Sequence, residues 1–275
     1  MRRYIKILVG VLLLGSLTSL LVGCQIVSET SQKNNDAQWI PLFNGKNLDD
    51  WIIKIKGSPL HENTLNTFRV EKGMLRIDYS NYKNFDRRFG HIFYKTPFSH
   101  YILQLEYRFN GEQVAGGPKW AYRNNGVMFH AQPPSTVELN QDFPISIETQ
   151  LLGGNGLDER STGNICTPDT HVVVNDILKL KHITKSNSST YHGDQWVQLE
   201  LEVHGDQQVI HRINGKEVLR YTQPQYDTLN KRQFSYLEKV KHLPLKSGYI
   251  ALQAESHNTD FRHIRLKKLP IKTRL

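Results

Sequence analysis

From residue 39 onward, apolar and polar positions alternate with a period of two, in short runs broken by Gly, Pro, Asn and Asp. Side chains of a strand point alternately to its two faces, so this texture predicts half-buried strands. Tyr101, Leu103, Leu105, Tyr107 and Phe109 fall on one face of a predicted strand, with Ile102, Gln104, Glu106 and Arg108 on the other. Residues 197–203 repeat the pattern, with Gln198, Glu200 and Glu202 opposite the apolar set. Residues 209–213 and 217–221 meet through Asn214-Gly215, a strong two-residue hairpin signal. Residues 68–70 and 74–77 flank Glu71-Lys72-Gly73, a second hairpin. Residues 172–174 and 177–180 suggest a third, and Ile264-Arg265-Leu266 a closing strand. No stretch of ten or more residues in the mature domain carries a helical period. Many strands at short spacing predict an all-β fold, a two-sheet β-sandwich or jelly roll.

Two predicted strands stand apart. Residues 145–153 place Ile145, Ile147, Thr149 and Leu151 on one face and Ser146, Glu148 and Gln150 on the other. About a hundred residues later, 249–257 place Gln253, Glu255 and His257 on one face and Ile250, Leu252 and Ala254 on the other. Each aligns a carboxylate with a glutamine. Three loops, residues 81–90, 111–125 and 153–189, exceed what a minimal sandwich needs, and long loops in compact domains are commonly functional.

The first 23 residues change the picture. Arg2, Arg3 and Lys6 precede an apolar run, and the segment ends in Leu21-Val22-Gly23-Cys24. This resembles a bacterial lipobox, which implies cleavage before Cys24, acylation of its thiol and stable anchoring to a bilayer. Gln25 at the next position favours the outer membrane in a Gram-negative cell, hence a location in the cell envelope. Residues 24–38 read as the lipidated cysteine and a polar tether, and residues 39–270 as the folded domain. Losing three basic residues and no acidic ones with the leader takes the formal charge from +9 to +6. The remaining Lys and Arg are scattered, which argues against nucleic acid as a partner. With Cys24 acylated, Cys166 stands alone and no internal disulfide is available.

A series of short motifs appears in fixed order. Pro41-Leu42-Phe43-Asn44-Gly45-Lys46-Asn47-Leu48-Asp49-Asp50-Trp51 opens it. Glu106-Tyr107-Arg108, residues 125–130, Glu148-Thr149-Gln150, Thr162-Gly163, Gln195-Trp196, Asn214-Gly215, residues 248–253 and Phe261-Arg262 follow. The set resembles the 3-keto-disaccharide hydrolase domain family, formerly a domain of unknown function. The resemblance implies a concanavalin-like sandwich, action on carbohydrate, and a working link to a sugar 3-dehydrogenase. The chain departs from the family at Asn124-Asn125-Gly126, where Asn-Ser-Gly is common, and at His130, where an arginine is common.

A ketone at C3 acidifies the C2 proton, so a base can form an enolate and the C1 glycosidic oxygen can leave by β-elimination; water then adds to the enone. That chemistry needs a base, a stabiliser for the enolate oxygen and a proton donor. Glu148 and Glu255 are the candidate base pair, with His257 or His130 as proton donor. Gln150, Gln253 and Asn125 are candidates for binding sugar hydroxyls, Arg108 for binding the keto oxygen, and Trp120 for stacking on a sugar face. A divalent ion polarising the keto and C2 oxygens would also suit elimination, with His130, Glu148 and His257 as candidate ligands. Two alternatives use the same residues: ordinary two-carboxylate glycoside hydrolysis, and a non-catalytic carbohydrate-binding module.

Overall fold

Alternation becomes structure directly in the computed structural model, which describes residues 38–228, 234–240 and 244–271. The leader, Cys24 and most of the tether lie outside these residues. In chain order the strands are β1 (Ile40–Pro41), β2 (Trp51–Ile55), β3 (Phe68–Glu71), β4 (Met74–Ile77), β5 (Gly90–Tyr94), β6 (His100–Gln113), β7 (Asn124–Ala131), β8 (Ile147–Leu152) and β9 (Asn164–Cys166). They continue with β10 (Thr170–Val174), β11 (Ile177–Lys179), β12 (Ile183–Thr184), β13 (Val197–His204), β14 (Gln208–Ile213), β15 (Lys216–Tyr226), β16 (Tyr249–Ala254) and β17 (His257–Lys268). Helix among the described residues is limited to four three-residue 3₁₀ turns. The fold is all-β.

Two antiparallel sheets form. One runs β11-β10-β15-β14-β13-β6-β17-β4-β3, with β1 added against β17. The other runs β12-β9-β8-β7-β16-β5-β2. The first is built on the long strands the sequence predicts: β6 and β13 pair over eight rungs from Val197↔Tyr107 to His204↔His100. Lys72 and Gly73, with φ of 51° and 76°, make the tight β3–β4 turn, and Asn214 and Gly215, at 48° and 78°, make the β14–β15 turn. Both pairs supply the positive φ that such a turn requires.

The core lies between the sheets. Tyr101, Leu103, Leu105 and Tyr107 of β6 and Leu199 and Leu201 of β13 meet Val127 and Phe129 of β7, Ile147 and Leu151 of β8, and Leu252 of β16. Burial of side chains this size contributes roughly 1.5–3 kcal/mol each. The outer faces differ. On the larger sheet, β6 and β13 alternate strictly between buried and half-buried residues. On the smaller sheet, β5 and β7 are buried along both faces, because loops cover the outer one. A small second cluster, Phe93, Met128, Ala131, Val137 and Ala251, seals part of that outer face. The rest of it carries polar groups.

Candidate active site

β7 lies between β8 and β16 in the smaller sheet, so the two strands singled out by pattern become near neighbours. Glu148 of β8 opposes Met128 on β7 and Cys166 on β9, and Gln150 opposes Gly126 and Asn164. Ala251 of β16 opposes Met128. Directly opposed residues share a face, so Gly126, Glu148, Gln150, Asn164 and Cys166 all point away from the core. Glu255, just past the end of β16, joins them as part of the same wall.

Glu148, Gln150, Asn164, Cys166 and Glu255 line a cavity of about 430 Å³. Asn124 adds an amide to it, and Trp120 and Phe143 supply aromatic walls. Arg160 and Lys185 bring positive charge to the lining. Gly126 decides where Glu148 goes. A side chain at Gly126 would collide with the Glu148 carboxyl, so the glycine lets that carboxyl lie back across β7 toward β16.

The electrostatics are unusual for surface carboxylates. Glu148 is 5% exposed and Glu255 2%, and neither has an ion-pair partner among the described residues. Burial pushes the Glu148 carboxyl up to about 8, against a smaller downward pull from the Cys166 hydrogen bond. Burial, and then the charge of Glu148, push Glu255 well above the usual carboxylate range. The Cys166 thiol is itself pushed up by burial and by both carboxylates, so it stays protonated and donates to Glu148. Two buried acids this closely coupled do not ionise together near neutrality. Loss of one proton from the pair leaves a base beside an acid.

Trp120 is 54% exposed at the cavity edge and stacks on Phe89, centroids 6.0 Å apart and planes 13° apart. It is held flat with a free face. Gln150 is partly engaged, accepting from Asn164 Nδ2 at 2.9 Å.

Four expectations need correction in placement. His130 does not reach the cavity. Three β7 steps from Met128 to Ala131 match two β16 steps from Ala251 to Tyr249, a bulge that interrupts the alternation. His130 adopts φ 47° there, and its Nε2 lies 3.0 Å from the Gly205 carbonyl in the turn between β13 and β14. Burial holds its ring down at about 4, so it is neutral. His257 is displaced by the corner at Ser256, φ 89°, where the chain passes into the larger sheet. It starts β17 opposite Gln113, with its ring edge-on to Tyr122 and Phe109. Asn125 faces the core: it donates through Nδ2 to Thr259 Oγ1 on β17 and accepts the Gly126 N–H. Arg108 is on the larger sheet, paired with Asp260 rather than Glu106, while Glu106 pairs with Arg262.

The metal expectation meets the same geometry. Glu148 is separated from His130 and His257, and no three His, Cys, Asp or Glu side chains among the described residues come together as a metal-holding group. The three candidate donors do not fit one ion.

Several contributors escaped the sequence pattern. Cys166 reads as an inert core thiol until β9 places it opposite Glu148. Arg160 and Lys185 sit in loops whose course no periodicity gives. Gly126 could have been suspected, as a glycine inside a strand often marks a close approach.

Fold and site define a two-sheet jelly-roll domain with an uncompensated carboxylate pair in a loop-walled cavity on its smaller sheet. The chain belongs to the 3-keto-alpha-glucoside-1,2-lyase-like domain family, whose profile matches residues 38–267. Among solved structures, a Parabacteroides distasonis ATCC 8503 protein classed as a glycosyl hydrolase aligns at TM-score 0.51 and 17% identity, over 84% of this chain and 100% of its own. A second from that organism, also classed as a glycosyl hydrolase, aligns at 0.49 and 16%, over 84% and 94%. A β-glucanase from Bacillus licheniformis aligns at 0.44 and 9%, over 84% and 98%. At such identities the likeness concerns the fold alone. No curated protein matches the chain.

Proposed function

We propose that this domain cleaves a 3-keto-glycoside by removing the C2 proton and expelling the C1 oxygen. The observation that carries the reading is the coupled Glu148–Glu255 pair, with no ion-pair partner among the described residues, in a cavity of a chain from this family. Glu148, whose carboxyl Gly126 leaves room for over β7, acts as base. It takes the C2 proton; the C2–H electrons form the enolate with the C3 carbonyl. The enolate collapses to the ketone as a C1=C2 double bond forms and the C1–O bond breaks. Glu255, still protonated, gives its proton to the departing oxygen. Water adding across the double bond completes net hydrolysis.

Arg160 and Lys185, the cations of the lining, are the groups that would stabilise the enolate oxygen, the part assigned to Arg108 from sequence. Trp120 stacks on a sugar face, and Gln150 binds hydroxyls. Such a substrate must be made by oxidising a sugar at C3, so the supplying reaction is that of a sugar 3-dehydrogenase.

The test incubates the protein with a disaccharide and its 3-keto form in D2O and follows products by NMR and mass. Cleavage of the keto form alone, with deuterium at C2, is expected, and Glu148→Gln should slow it about 10²–10⁴-fold. Cleavage of the unoxidised sugar without deuterium would replace elimination by two-carboxylate hydrolysis.

A further inference from the structure

The polar band that includes Glu255 continues beneath Phe143. His91 of β5 opposes Gln253 of β16, so both lie on the outer face of the smaller sheet, yet neither lines the open cavity. They are 3% and 0% exposed. Among the described residues, Gln253 has no hydrogen-bond partner for Oε1 or Nε2, and His91 has none for Nε2. Next to them, Glu255 Oε2 and Asn124 Oδ1 also have none among these residues, and both residues line the cavity. Buried polar groups in folded proteins are nearly always satisfied. Five orphaned atoms on adjoining strands therefore mark a place that a polar ligand completes. Lys54, beside His91 on β2, cannot serve, because its Nζ donates to the Ser58 and Ile55 carbonyls.

Phe143 is the roof. Its ring is edge-on to His91, centroids 6.1 Å apart, and 4.9 Å from Phe89. It is only half-buried and sits on a loop between the 3₁₀ turn at residues 134–136 and β8. It lines both the carboxylate cavity and a second cavity of about 520 Å³.

We propose that His91 and Gln253 form a sugar-hydroxyl subsite beneath Phe143, continuous with the Glu148–Glu255 cavity. The amide supplies a donor and an acceptor, and His91, which burial keeps neutral, supplies one or the other. That mixture suits a polyol and suits neither an anion nor a cation. The subsite stands on the orphaned atoms; only the oxidation state of its sugar rests on the function proposed above.

The test is Gln253→Met, which keeps length and removes the polar atoms. Removing an unsatisfied buried amide should raise Tm by about 2–4 °C, while KM for the 3-keto-disaccharide rises at least tenfold, with kcat held within about threefold. Phe143→Ala with Gln253 intact should lower KM or leave it unchanged. A fall in Tm would mean that the amide already has a structural partner, and an unchanged KM would mean that it meets no substrate; either overturns the subsite. If the wild type cleaves no keto-sugar but binds a disaccharide calorimetrically and Gln253→Met abolishes that binding, the subsite stands and the proposed chemistry falls. If the wild type cleaves and Gln253→Met leaves KM and binding untouched, the reverse holds.

Discussion

The two outer faces of this sandwich start from the same sequence pattern and end in opposite electrostatic states. On the larger sheet, Asp260 accepts from both Arg76 and Arg108, Glu106 pairs with Arg262, and Arg212 bridges Glu200 and Glu202. The guanidinium groups of Arg108 and Arg262 lie 4.6 and 4.0 Å from the ring of Trp196. Glu106 and Glu202 end below the ordinary carboxylate range: their bonds to Arg262 and His263, and to His204 and Arg212, outweigh the upward pull of burial. On the smaller sheet, Glu148 and Glu255 have no such partner and are held above it. Alternation of a carboxylate with a glutamine occurs on both faces. What separates scaffold from site is that, among the described residues, the buried acids of the site have no ion-pair partner.

The largest expected difference between the faces is catalytic. Gly126→Ala should drive the Glu148 carboxyl out of its place over β7 and cut turnover of a 3-keto-glycoside about 100-fold or more, since misplacement of a reacting group by about 1 Å costs this much. A crystal structure or carboxyl NMR of the variant would verify the displacement. Retained activity would mean that the close packing of Gly126 and Glu148 has no part in the chemistry.

Next in size is stability on the scaffold face. Asp260 is fully buried and satisfies two guanidinium groups, so Asp260→Asn should cost roughly 3 kcal/mol in denaturant unfolding while leaving KM unchanged. Loss of substrate binding with stability intact would reverse the roles of the two faces.

The smallest effect is the sign of the pH dependence. A carboxyl whose folded pKa exceeds its unfolded value near 4.5 binds its proton more tightly in the fold, so stability falls as pH rises from there toward 8. Glu106 and Glu202 work the other way: their stabilisation is present above the unfolded value and is lost as pH falls through their lowered folded values. Glu148→Gln should remove much of the decline above pH 5 in a Tm-against-pH series, whereas Glu106→Gln should remove part of the acid-side loss instead.

The fold was legible because its information is local. The strict alternation of β6 and β13, the Asn214-Gly215 turn and the β3–β4 hairpin each state their conformation within a few residues. Glu148 and Gln150 were legible as one face, and so were Gln253 and Glu255, but their meeting depended on β7 lying between the two strands, which is a matter of topology. His130 and His257 failed for a different reason: a bulge and a positive-φ corner each break the period of two at the residue in question. Arg108 was assigned to the wrong site because a period of two tells which residues share a side of a strand but not which sheet that strand joins. Asn125 follows the phase of Val127 and Phe129 inward, and its amide serves as a buried tie to Thr259. Cys166 belongs to a three-residue strand, too short to show any period.

The central claim is that Glu148 is a buried acid poised to work as a base, and site-resolved carboxyl ¹³C NMR titration of the folded domain tests it most directly. Glu148 should titrate far above 4.5, at about 8, with Glu255 also well above 4.5 and Glu106 below it. If Glu148 and Glu255 both titrate near 4.5, independently of each other, they are ordinary solvated carboxylates, and the smaller sheet has no acid–base site.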